Sequence, residues 1–143
     1  MEERIVKKTK LYRIAVILIW VLFISTVVHA ADLPAADSKL IKAAGVPIHP
    51  GVTFINGNQD VGFRFATSKS PEDVRSWYAE QLPAWSLYKE YGGWILYDGK
   101  PGLGMGEVMS RNQVSVQTNE QLHEWFGVDK AISTEIVIMF PMH

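Results

Sequence analysis

The sequence predicts a two-layer α+β domain, a mainly antiparallel sheet of five to six strands with one amphipathic helix packed on one face. Three observations carry the prediction. Strand-forming runs recur in pairs with turn residues between them, a single strongly capped helix interrupts them, and the order of elements reads β-β-α-β-β-β-(α)-β. Strands joined by short turns pair antiparallel, and one helix has an apolar stripe wide enough for only one sheet face.

Ahead of that domain stands a leader of the bacterial export type. Residues 1–13 place Arg4, Lys7, Lys8, Lys10 and Arg13 against Glu2 and Glu3, and Ile14 to Val28 follow without a charge. That 15-residue run is short for a bilayer span, which needs roughly 20 apolar residues, and fits a signal-peptide core. Val28 and Ala30 supply the small side chains that a cleavage site needs, so residues 1–30 read as a signal peptide cut after Ala30. The alternative is an uncleaved anchor, with residues 14–28 as the one contact with a membrane and the basic end held inside. Either way the expected location is exported, periplasmic or extracellular. With no cysteine in the chain, lipid attachment at a lipobox is excluded and the domain rests on packing rather than disulfides.

Residues 31–50 read as a lead-in that begins exposed, with Ser38 positioned to cap a short helical stretch to Ala44 and Gly45 to end it. The single domain is expected over 51–143. Val52 to Asn56 reads as a strand and residues 57–60 as a turn. Val61, Phe63 and Phe65 alternate on one face of a second strand. The strongest local signal follows: Ser70 as N-cap, Pro71 at the first helical position, and Glu72 and Asp73 at the positive end of the dipole. Val74, Trp77, Tyr78, Gln81 and Leu82 continue at helical spacing until Pro83. Trp85 to Tyr88 and Trp94 to Tyr97 form a second strand pair. Residues 98–112, with four glycines and Pro101, read as a long flexible connection. Gln113 to Gln117 is a strand, Asn119 a cap for a short helix closed by Gly127, and Thr134 to Phe140 a hydrophobic strand.

Without residues 1–30 the chain carries nine basic and thirteen acidic side chains, a net charge of −4. An acidic domain with no basic stripe argues against nucleic acid, whose binding rests on phosphate neutralisation.

The stretch from His49-Pro50-Gly51 through Tyr97 resembles a class of small secreted bacterial α+β domains. The resemblance is carried by Phe63-Arg64-Phe65-Ala66-Thr67-Ser68, by Ser70-Pro71-Glu72-Asp73-Val74 with Trp77-Tyr78, and by the corner Gln81-Leu82-Pro83-Ala84-Trp85. It covers about half of the chain that follows residue 30. It implies how a helix packs on a sheet and implies no chemistry; residues 98–130 lie beyond it.

No catalytic, metal or cofactor motif is present. His49, His123 and His143 lack ligand spacing and read as polar surface or capping residues. There is no nucleophile elbow, and the glycines at 102, 104 and 106 match no phosphate-binding spacing. The main constellation is aromatic. By strand parity Trp85 shares a face with Leu87 and Trp94 with Leu96, while Tyr88 and Tyr97 lie opposite. One set is expected beneath the helix and the other on the uncovered face. The candidate interaction surface is therefore Tyr88, Tyr91 and Tyr97 with Met105, Glu107 and Met109 of the loop. The function this favours is a non-enzymatic binding module of the cell envelope, with an envelope protein or glycan as partner. The alternative is a small hydrolase or carbohydrate-binding domain, in which Glu107 and Asp98 converge beside the Tyr/Trp cluster.

Overall fold

The computed structural model describes residues 32–141, so the leader, its cleavage site and His143 lie outside the described residues. Four helices and six strands follow in the order α1 (Ala35–Ala43), β1 (Thr53–Asn58), β2 (Gly62–Thr67), α2 (Pro71–Gln81), β3 (Ser86–Tyr88), β4 (Ile95–Tyr97), α3 (Met105–Val108), β5 (Gln113–Thr118), α4 (Leu122–Phe126) and β6 (Thr134–Met139). The strands form one open antiparallel sheet in the order β1-β2-β6-β5-β4-β3, an α+β fold as the sequence predicts. No helix among the described residues is long and apolar enough to cross a membrane.

The β1–β2 hairpin turns on Asn58, whose side-chain oxygen accepts from Asp60 N at 2.9 Å and Val61 N at 3.2 Å. Gly57, paired with Phe63, and Gly62, paired with Asn58, flank it with φ of 123° and 85°. A Cβ on Gly57 would run into the backbone of Gly62, and one on Gly62 would lie 2.9 Å from Ile138 O and from Met139 Cγ. The hairpin therefore needs glycine on conformation and on space alike. The register of β1 shifts between Phe54 and Asn56. A bulge of this kind twists an exposed edge away from further pairing, and the opposite edge, β3, is only three residues long.

Helix α2 forms as its sequence dictates: Ser70 Oγ accepts from Asp73 N at 3.1 Å, with Pro71 and two acidic residues in the first turn. Its stripe buries Val74 and Tyr78, with Leu82 buried just past its end, while Gln81 stays exposed. The helix packs over β5. Beneath it lie Phe63, Phe65, Leu96, Val114, Val116, Ile136 and Ile138, one face of the sheet.

Two readings of the lead-in change. Helix α1 begins at Ala35 after Pro34, so Ser38 lies inside it and caps nothing; Ser38 N donates to Pro34 O. The segment is also an integral part of the core, since Ile41, Val46 and His49 are all buried against the helix side. Asn119 acts one turn early: its oxygen accepts from Gln121 N at 3.0 Å, and α4 starts without a side-chain cap. Gly127 ends that helix with φ 67°.

The face opposite α2 carries two smaller clusters. At the β1–β2 end, Leu122 and Val128 of the β5–β6 connection close over Ala66. At the β3–β4 end, Leu103 and Val108 close over Tyr88, Tyr97 and Ile95.

Candidate functional site

The tyrosines expected on an uncovered face are covered. Tyr88 is 6% exposed and Tyr97 1%, because residues 98–112 fold back across that side of the sheet. The segment read as a flexible connection is docked by named bonds. Asp98 N donates to Asn112 O at 3.0 Å, Ser86 Oγ to Gly99 O at 2.6 Å, and Tyr97 OH to Lys100 O at 2.8 Å. Gln113 Nε2 reaches Val108 O at 3.5 Å from below. Glycines let this short cap bend tightly, but Val108 and Leu103 give it an apolar underside that is worth burying. Tyr88 and Tyr97 therefore serve as packing for the cap rather than as an open stacking surface. The side chain of Tyr91, in a 3-10 turn, is outside those described.

On the cap, Met105 is 39% exposed, Met109 is half-buried and Glu107 is exposed. One carboxylate oxygen of Glu107 accepts from Gly104 N at 3.2 Å, a local task that accounts for the residue. Asp98 is exposed too. Neither carboxylate lines the groove described next.

The other aromatic set, expected beneath the helix, is the one left partly open. Helix α2 lies over β5 and leaves the sheet edge at β3 partly open. A groove of about 330 Å³ results, between the helix residues Arg75, Ser76 and Ala79 and the strand-side residues Trp85, Leu87, Trp94 and Leu96. Leu82 and Pro83 close it at the helix end. Trp85 and Trp94 are half-buried in its walls, and Leu87 is 41% exposed while its cross-strand partner Leu96 is 4% exposed. The Trp/Leu set thus lies on the helix side, with Leu96 buried and Trp85 and Trp94 partly covered, and what is overturned is the expected openness of the tyrosine face.

Arg75 is the polar anchor of the groove, and no motif in the sequence singles it out. Its Nε and Nη2 donate to Val116 O at 3.2 and 2.9 Å, satisfying a carbonyl of β5 beyond the last paired residue of β4. Its guanidinium carbon sits 6.0 Å from the centroid of Trp94. A cation over an indole face is attracted to the ring's negative π surface. The signal that bears on this position is its place one residue after Val74, at the border of the apolar stripe.

Glu135 and His49 are buried polar residues elsewhere in the domain. Glu135, on the central strand β6, is buried on the face away from α2. Its Oε2 accepts from Gln117 Nε2 at 2.6 Å and from Asn119 Nδ2 at 3.2 Å. Arg64 Nε lies 2.5 Å from Glu135 Oε1, a close ion pair that is not aligned as a hydrogen bond. The Arg64 guanidinium also lies over the Phe126 ring at 5.5 Å. These contacts give both oxygens of the buried carboxylate polar partners. His49 is buried, not a surface residue. It packs edge-on to Trp77 at 4.8 Å, with Nδ1 making no hydrogen bond among the described residues. Burial pushes the neighbouring Tyr78 phenol well above its ordinary value, and a backbone hydrogen bond with His49 opposes this in part. His123 Nδ1 lies 2.5 Å from Val128 O and ties the end of α4 to the following loop. No group of three potential metal ligands occurs among the described residues.

No protein-family model matches the sequence, no curated protein matches it, and no solved structure matches the fold.

Proposed function

We propose that this chain is an exported, non-enzymatic binding module whose ligand occupies the groove between α2 and the β3–β4 strands. One observation carries the reading. Trp85, Trp94 and the exposed Leu87 line a concavity of about 330 Å³ with a single cationic side chain in its wall. Ligand sites in proteins are concave, commonly about 300–1,000 Å³, mostly apolar, and carry a few fixed polar groups. Half-buried indoles in such a wall offer apolar area that water hydrates poorly and a ligand covers well. The hydrolase reading gains no such support, since Glu107 is engaged with its own short helix. The export half of the proposal rests on residues 1–30 and is tested by N-terminal sequencing of protein recovered outside the cytoplasm.

The groove itself is tested by an NMR titration with a fragment set spanning neutral sugars, apolar acids and apolar amines. The indole N–H signals of Trp85 and Trp94 and the methyls of Leu87 are expected to shift together. If no fragment moves them, or ligands map to the face carrying Met105, the groove is not the site.

A further inference from the structure

The groove has two unlike ends. In the β3–β4 pairing Leu87 stands opposite Leu96, with Ser86 opposite Tyr97 and Tyr88 opposite Ile95. Extending that register one residue each way puts Trp85 and Trp94 at opposite ends of the leucine pair. They are then four residues apart along the strand direction, roughly 14 Å at about 3.4 Å per residue. Between them the floor is aliphatic.

Polarity is concentrated at the Trp94 end. Arg75 is half-buried there beside the Trp94 ring, and Ser76 follows it on the helix. The bonds that fix Arg75 go to a backbone carbonyl, which holds the guanidinium without neutralising it. No carboxylate pairs with it among the described residues, whereas Arg64 has Glu135. A partly desolvated cation next to apolar walls attracts an anion more strongly than a solvated one does, since solvent screens it less. The domain as a whole is acidic, so attraction for an anion here is a property of this site and not of the net charge.

We infer that the groove takes an amphipathic carboxylate, a linear apolar tail laid over Leu87 and Leu96 between the two indoles with its carboxylate on Arg75. The inference rests on the groove being the binding site. Tail contacts supply affinity through buried apolar area, and the guanidinium selects the charged head and sets its direction.

The test uses the protein as recovered from expressing cells, with decanoate, decanol and decylamine as probes, read at the Trp85 and Trp94 indole signals. Decanoate is expected to bind about ten-fold tighter than decanol, the usual weight of one charge-assisted hydrogen-bonded contact, and decylamine more weakly than either. Arg75→Gln removes the decanoate preference and leaves decanol within about two-fold of its original affinity. Because Arg75 also holds β5, a second pair of variants keeps the test independent of folding. At the exposed position 87, Leu87→Glu weakens decanoate several-fold more than Leu87→Gln does, and the two variants bind decanol alike. Equal affinity for decanoate and decanol, or a preference for decylamine, overturns the carboxylate assignment. If all three probes leave both indoles unmoved while other fragments move them, the amphiphile fails and the groove stands; if nothing moves them, both fail.

Discussion

On the helix side of the sheet one continuous core runs from Ile41 and Val46 of the lead-in through Phe63, Val114 and Ile136 to Leu96. On the other side, two separate caps cover the ends, Val108 over Tyr97 and Leu122 over Ala66, and between the clusters Glu135 binds Gln117, Asn119 and Arg64. The helix is the larger cover and yet leaves the open groove, because a rod that packs on β5 cannot also reach the edge strand β3. The caps are small, but each is placed by the loop that carries it and seals its own end. Stability should therefore be concentrated on the helix side and distributed in small independent parcels on the other.

Phe63→Ala tests the first half of that statement most severely. Phe63 is fully buried at the centre of the helix-side core, in T-shaped contact with Phe140 at 5.8 Å. Its truncation is expected to cost about 3–5 kcal/mol in urea unfolding, with the loss shared by every probe of the fold. Val108→Ala tests the second half. Val108 is fully buried under its cap, but the cost is limited by the free energy of docking a single loop, so about 1–2 kcal/mol is expected. Hydrogen exchange should accelerate over residues 98–112 and at Tyr97 while Val114 and Ile136 on the far face keep their protection. Global acceleration in Val108→Ala would mean that the two faces fold as one cooperative unit and the comparison is wrong.

Helix α2 is legible in the sequence because its signals are local: a capping serine, a proline at the first position and an apolar stripe all sit within 13 residues of one another. Strand alternation correctly separates Trp85, Leu87, Trp94 and Leu96 from Tyr88 and Tyr97. Which set is covered is not a local property. It depends on how far α2 reaches across the sheet and on where residues 98–112 fold, and a glycine-rich segment has little propensity of its own to announce a docked state. Leu103 and Val108, two of the loop's four large apolar residues beside Met105 and Met109, carry that signal. The same limit hides Arg75, whose role is set by a carbonyl 41 residues away, and Glu135, a lone charge in a hydrophobic strand whose partners come from β5 and β2.

Alkaline pH offers a milder probe of the helix-side core. Tyr78 ionises at 10.0 when solvated, and burial raises that value in the folded protein. A group that holds its proton more tightly when folded contributes its full stabilisation below its unfolded pKa and loses it as pH rises beyond. Stability should therefore fall above about pH 10, by about 1 kcal/mol at about pH 11 from this group alone. Tyr78→Phe has no such proton to lose. The stability difference should therefore shift in favour of the variant as pH rises, and a constant difference between pH 8 and 11 (both approximate) would show that Tyr78 is hydrated in the folded state.

The smallest effect expected is at Leu87, and it separates core from groove most sharply. Leu87 and Leu96 are the same residue type on the same face, directly paired across β3 and β4. Position along the sheet is what distinguishes them. Leu96 reaches under the helix, so Leu96→Ala is expected to cost about 2–4 kcal/mol. Leu87 lies on the edge strand beyond the helix, so Leu87→Ala should change stability by less than about 0.5 kcal/mol. Thermal unfolding of the two variants side by side decides the matter. A large cost at both positions would make Leu87 a load-carrying part of the core, leaving the groove without a reason to hold an exposed leucine. A cost at Leu96 alone leaves Leu87 with no task in folding, as the proposed groove requires of its exposed leucine.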